Sequence, residues 1–272
     1  MDRNQPSLRK PMRGDFPGVK PEALEADLLR ALDRREIEVL FQPQFSCADG
    51  AVVGAEALAR WRHPSLGEIG ARDLFAIAER AALVAPLSRH VVARALEDAE
   101  NWPKHLHLSL NITPEELGDA RFASDFAELI GQSSIAPDRL MLEITEDVLL
   151  RNLKQAAEAL NALRSLGFRT ALDDFGAGFC NFRYLKELPL DALKLDRVMV
   201  DGVPHDRRDL AVLRAIIALG RALDLTVIAE GVESEIQRAT VISEGCDYWQ
   251  GFLKAAPMPS SEMLGMARAS SR

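Results

Sequence analysis

"EVLFQPQFSCADGAVVGAEALARW", residues 38–61, contains two β-like runs, 38–45 and 51–61, with only "SCADG" between them. That link is too short for the crossover helix a parallel pair needs, so the two runs are read as an antiparallel hairpin. The rest of the chain follows the opposite rule. Short runs recur at "LHLSLNI" (106–112), "RLMLEIT" (139–145), "FRTALDDF" (168–175), "ALKLD" (192–196), "LTVIAEG" (225–231) and "DYWQG" (247–251). Helical patterns lie between most of them, among them "DLFAIAERAALVAPLSRHVVARALEDAENW", "EDVLLRNLKQAAEALNALRSLG" and "RRDLAVLRAIIALGRALD". Gly167 and Gly245 stand where glycines end helices. Strands alternating with helices indicate a parallel sheet, and about eight of them favour closure. The expected fold is α/β, a TIM-like (β/α)8 barrel with one antiparallel strand.

Composition sets the outer bounds. The chain has 272 residues, 47% hydrophobic and 27% charged, as in an ordinary globular protein. No apolar run is long enough for a membrane-spanning helix. The polar, proline-rich start lacks the apolar centre of a secretory signal. We read residues 1–22 as a flexible leader or linker, 23–262 as the barrel and 263–272 as a C-terminal tail. Cys47, Cys180 and Cys246 show no metal or redox spacing and are read as free thiols of a cytoplasmic protein. A net charge of −8 without a basic block makes double-stranded nucleic acid a poor partner. An anionic ligand is still possible where bound cations supply the opposite charge.

In barrels of this kind the chemistry gathers at the C-terminal ends of the strands. Those ends carry Glu56, Asn111, Glu143, Asp173 with Asp174, Lys194, Glu230 and Gln250. A single polar residue at a strand end simply meets solvent. Seven strands repeating the pattern need another cause. Carboxylates converging on one mouth repel unless counter-charge is present. An oxygen-rich donor set without a His or Cys cluster suits Mg²⁺ or Mn²⁺ rather than zinc. The adjacent pair Asp173–Asp174 suits two cations per site, one carboxylate bridging them. Lys194 is the single cation among these acids, open to a role on water or phosphate or to a structural ion pair.

The motifs, taken in order, resemble those of the EAL-domain cyclic di-GMP phosphodiesterase family. They are "FQPQ" (41–44), "EALARW" (56–61), "LNIT" (110–113), "EITE" (143–146), "DDFGAG" (173–178), "KLD" (194–196), "AEGVE" (229–233) and "QG" (250–251). The resemblance implies hydrolysis of cyclic di-GMP to linear pGpG with Mg²⁺ or Mn²⁺. It implies that Glu56, Asn111, Glu143 and Asp173 hold the first cation, and Asp173, Asp174 and Glu230 the second. Glu230 serves alternatively as general base. Lys194 positions the attacking water, and Gln250 completes the hydrogen-bonded shell. Gln42, Leu58 and Arg60 touch the dinucleotide, Arg60 through its forked donors on phosphate. Glu146 braces the loop after the paired aspartates or, like Glu233, is an acid favoured near a helix N-terminus. A homodimer and an upstream sensory or GGDEF-type module are further implications.

This chain departs from the family pattern mildly. Ala177, Phe179, Cys180 and Asn181 alter the loop after the aspartates, while Ala71 and Ala82 replace a customary Pro and Gly. Some family members have lost catalysis and act as cyclic di-GMP receptors, which is the alternative reading. His63 is read as a turn residue and Trp61 as a packing residue. His105, His107 and His205 show no metal spacing.

Overall fold

A computed structural model describes residues 14–34, 36–178, 182–203 and 205–270. In chain order its elements begin with α1 (Pro21–Arg34), β1 (Ile37–Ser46), β2 (Val52–His63), β3 (Gly67–Gly70), α2 (Ala71–Arg80) and α3 (Val84–Ala99). There follow β4 (His107–Asn111), α4 (Pro114–Leu117), α5 (Phe122–Gly131), β5 (Leu140–Thr145), α6 (Glu146–Ser165) and β6 (Arg169–Phe175). The last are α7 (Phe182–Glu187), β7 (Ala192–Leu195), α8 (Arg197–Asp201), α9 (Arg207–Ala222), β8 (Thr226–Ala229), α10 (Glu235–Glu244), β9 (Tyr248–Trp249) and α11 (Ser260–Ser270). Among the described residues no helix is long and apolar enough to cross a membrane.

Eight strands close a ring in the order β1-β9-β8-β7-β6-β5-β4-β2, with β1 pairing back to β2. β1 runs antiparallel to β9, with Phe45 opposite Trp249. From β2 through β4 to β9 the neighbours are parallel. The reversed strand is therefore the one that the short "SCADG" link requires. Every residue of β7 is buried, as are five of the six in β5, because parallel strands under covering helices face apolar surroundings on both sides.

The chain divides into two compact units, Met1–Glu38 with Ala59–His90, and Val39–Leu58 with Val91–Arg272. In the first, β3 adds antiparallel to the end of β2, with Trp61 opposite Ile69. It lies outside the ring, and the sequence pattern does not show it. "GEIG" buries only Ile69 and has no period of its own; it pairs because β2 runs on to His63 and the chain turns straight back. Trp61 is wholly buried there and its ring packs edge-on against His63. His63 accepts from the backbone N–H groups of Ser65 and Leu66, so it holds a turn.

The long helical pattern at 73–102 is two helices, α2 and α3. Ala82, between them, adopts φ +54, a left-handed conformation that penalises any side chain. That geometry accounts for the glycine customary at this position.

In the second unit, Phe122, Phe126 and Ile130 recur along one face of α5 and are buried, each stabilising by about 1.5–3 kcal/mol. α10 ends at Gly245 in the left-handed C-cap conformation, as its position implies. α11 continues through the boundary at residue 262 and buries Met263 and Ala267. Residues 1–13 of the leader, and Phe179, Cys180 and Asn181 of the altered loop, lie outside the described residues.

Candidate active site

The site is built inside the second unit from the C-terminal ends of the parallel strands. Lys194, on β7, is completely buried, with 0% of its side chain exposed. Its Nζ lies 2.6 Å from Glu143 on β5, 2.8 Å from Glu230 just after β8, 3.0 Å from Asp173 on β6 and 3.3 Å from Glu56 on β2. Asn111, at the end of β4, donates to the other oxygen of Glu56 at 2.9 Å. Gln250, just after β9, donates at 2.8 Å to both Glu56 and Glu230. The parallel registers produce this convergence. They set Asn111 opposite Glu143, and Lys194 opposite Ile228, two residues before Glu230.

Asp174 needs a separate explanation. Neighbouring side chains on a regular strand point to opposite faces, so two consecutive aspartates do not ordinarily face one site. Here the β6–β7 register shifts between Leu172 and Phe175, and Asp174 adopts φ +54. This bulge re-aims the second carboxylate. Ligand oxygens of Asp173, Asp174 and Glu230 then lie within 4.8 Å of one another, as do those of Glu56, Glu143 and Asp173. The backbone N–H of Asp174 donates to the Asp173 carboxylate at 2.9 Å. Gly176 follows at φ +107, where an added Cβ would collide with the Met199 side chain.

Electrostatically, one cation serves too many acids. Burial pushes the Glu143 and Glu230 carboxyls well above their ordinary range, with neighbouring carboxylates adding to it and Lys194 opposing. Burial, then Glu56 and Asp174, raise Asp173 to about 6 against the pull of Lys194. Glu56 goes the other way, because Lys194 and the hydrogen bonds from Gln250 and Asn111 outweigh its burial. Burial pulls Lys194 down, but Asp173, Glu143, Glu230 and Glu56 together hold it well above its ordinary value.

Divalent cations fit this set. The donors are oxygens, the two carboxylate triads share Asp173, and Glu143 Oε1 is buried without a hydrogen-bond partner among the described residues.

Gln42 is buried on β1 and Leu58 half-buried on β2. Neither belongs to the hydrogen-bonded group around Lys194 among the described residues. Arg60 lies on the part of β2 in the first unit, its guanidinium 3.5 Å from Glu68. Glu146 opens α6 and is half-buried. Glu233 stands immediately before the N-cap of α10, near that helix's N-terminus. Arg197 holds it through two bonds of 2.5 and 3.0 Å, and Ser234 with Gln237 supplies the capping box of α10. Thr113 of "LNIT" caps α4 in the same way.

Two residues to which the sequence assigns no role in the site, Gln44 at the end of "FQPQ" and His107, join the cluster from below. Gln44 donates to Gln250 at 2.9 Å, and His107 meets Gln44 at 2.6 Å. The available signal was Gln44 standing two residues after Gln42 on one strand face.

Comparison with known proteins shows the family. A family model described as EAL domain matches residues 25–257. The cyclic di-GMP phosphodiesterase NbdA of Pseudomonas aeruginosa is 36% identical over 250 residues, covering 90% of this chain and 32% of that protein. RocR, a cyclic di-GMP phosphodiesterase of the same organism, is 35% identical over 242 residues, covering 88% and 62%. Among solved structures, the PaMucR phosphodiesterase in complex with c-di-GMP superposes with a TM-score of 0.84 at 33% identity, covering 89% of this chain and 99% of that one. The chain spans about a third of the length of the first curated relatives it matches, 30%, 29% and 32%. With the match covering most of its length, the chain belongs to the EAL domain family.

Proposed function

We propose that this domain hydrolyses cyclic di-GMP to linear pGpG. The observation that carries the reading is the pair of carboxylate triads sharing Asp173, set around the buried Lys194. In this reading Glu56, Asn111, Glu143 and Asp173 hold one Mg²⁺ or Mn²⁺, and Asp173, Asp174 and Glu230 hold a second. When bound, such a pair supplies Lewis-acid stabilisation of phosphoryl charge and a more acidic water. The protein's own groups do the rest. Lys194, charged and fixed by four acids, offers its N–H donors to the attacking water or a phosphoryl oxygen. Alternatively to holding the second cation, Glu230 accepts the proton that water gives up. Gln250 keeps Glu230 and Glu56 in place. Gln42, Leu58 and Arg60 receive the dinucleotide, and Glu146 steadies the loop after the aspartates. Water adds across one P–O bond, leaving a terminal phosphate and a free hydroxyl.

The relatives named above as cyclic di-GMP phosphodiesterases support this assignment, and their greater length supports a place beside sensory or GGDEF-type modules; we also place the domain in the cytoplasm. We place the active form as a homodimer, which molecular mass in solution checks. The deciding experiment incubates the protein with cyclic di-GMP and Mg²⁺ or Mn²⁺. Formation of pGpG is the expected result. Tight nucleotide binding without turnover would instead identify a receptor.

A further inference from the structure

Below the acidic cluster, a chain of polar groups, Gln250 and Gln44 buried and His107 half-buried, descends through the barrel of the second unit. Both 2.8 Å contacts, to Glu56 and to Glu230, meet the same Gln250 atom; an oxygen there would need both acids to carry a proton toward it, so that atom is the amide nitrogen of Gln250. Its carbonyl oxygen then faces Gln44, whose amide nitrogen donates to it at 2.9 Å. That leaves the Gln44 carbonyl oxygen toward His107, 2.6 Å from Nε2. The Gln44 oxygen therefore asks for the imidazole proton on Nε2, while the Val53 backbone, which also hydrogen-bonds the ring, competes for it. Burial, then the charge of Arg169, lowers the His107 pKa to about 4, so the ring is neutral. Each donor in the series has its direction dictated by the group above it.

The place of the ring is itself built into the fold. Gly54, opposite His107 in the β2–β4 register, leaves the space it occupies; an added Cβ would come within 2.5 Å of the ring and the carbonyl. Tyr248 lies alongside, with ring centroids 6.0 Å apart. His107 and Asn111 stand on the same face of β4, four residues or about 13 Å apart.

We infer that Gln44 and His107 are positioning residues: their one-directional hydrogen bonds fix which way the Gln250 amide faces, and so how Glu56 and Glu230 are presented to a divalent cation. The inference rests on reading those two glutamates as cation-holding groups. Without Gln44, the Gln250 carbonyl loses its donor, and the amide is free to turn its oxygen toward the acids. Outer-shell partners of this kind change metal affinity by about 10–100-fold.

Two measurements test it, both on the full chain. Nitrogen NMR of ¹⁵N-histidine-labelled, metal-free wild type should show His107 as the Nε2–H tautomer near pH 7; an Nδ1–H tautomer or an imidazolium overturns the inference. This measurement needs no variant, so a variant that fails to fold does not remove the test. Thermal-shift titration with Mn²⁺ should then show Gln44→Leu and His107→Leu needing about tenfold or more metal for half-maximal stabilisation. His107→Gln, which retains an N–H donor toward Gln44, should titrate like wild type. If Gln44→Leu titrates like wild type, the inference fails. A wild type that takes up no Mn²⁺ overturns this inference and the cation-holding reading together. One that takes up Mn²⁺ but leaves cyclic di-GMP intact fails only the proposed function.

Discussion

Lys194 and Arg197 stand three residues apart, and each holds carboxylates, yet they do different physical work. Lys194 has no exposed side-chain surface and faces four acids at 2.6–3.3 Å. Arg197 is 52% exposed and binds Asp201 and Glu233 at the surface. Water screens the second group, so its ion pairs contribute little and mainly set the position of Glu233. The first group is held away from water with too little positive charge. That deficit marks it as a candidate site, because the repulsion among the acids is relieved either by protons or by further cations.

The comparison can be broken most forcefully at Asp173, the carboxylate common to both triads. Asp173→Asn should lower cyclic di-GMP hydrolysis by several orders of magnitude, measured as pGpG release, because it weakens both cation positions at once. A loss of only a few-fold would mean that the triads are not the catalytic centre.

Next in size is Lys194→Met. Removing one partner of a buried ion pair costs about 3–5 kcal/mol. The metal-free variant should melt well below wild type, and Mn²⁺ should recover much of the difference by replacing the missing charge. A metal-free melting temperature equal to wild type would contradict the charge deficit.

A smaller effect follows from pH. The Asp173 pKa is raised from 3.8 to about 6 in the folded, metal-free protein. Its contribution to stability is therefore full below pH 3.8 and lost as pH rises through about 6. Glu143 and Glu230 shift in the same direction. Cations displace protons at low pH but meet ionised ligands at high pH. The rise in melting temperature caused by Mn²⁺ should therefore be larger at pH 8 than at pH 5. An equal rise at both would count against a buried carboxylate site.

The smallest change belongs to the surface group. Arg197→Ala should leave the melting temperature nearly unmoved and hydrolysis little altered. A loss comparable to that of Lys194→Met would show that Glu233 acts in the site after all.

The strands, their alternation with helices and the polar residues at their ends were legible in the chain, because burial pattern and turn spacing are local properties. The motif order also named the acids that the fold brings together. The Asp173–Asp174 pair shows where that legibility ends. Two adjacent acids can be read from sequence, but strand alternation alone would send them to opposite faces. Only the register shift against β7 and the left-handed Asp174 turn both toward Glu230. His107 is a second case. Spacing marked it only as unfit for metal, since its partner Gln44 lies 63 residues away.

By itself, then, the sequence determined the barrel, its reversed strand and its acidic strand ends, since each depends on residues close together in the chain. Tertiary structure decided which four of the five strand-end acids share one lysine, how two neighbouring aspartates face the same way, and which way a buried glutamine amide points. Those outcomes depend on pairing between distant strands, where a hydrogen bond spans 206 residues from Gln44 to Gln250 and no local pattern records it.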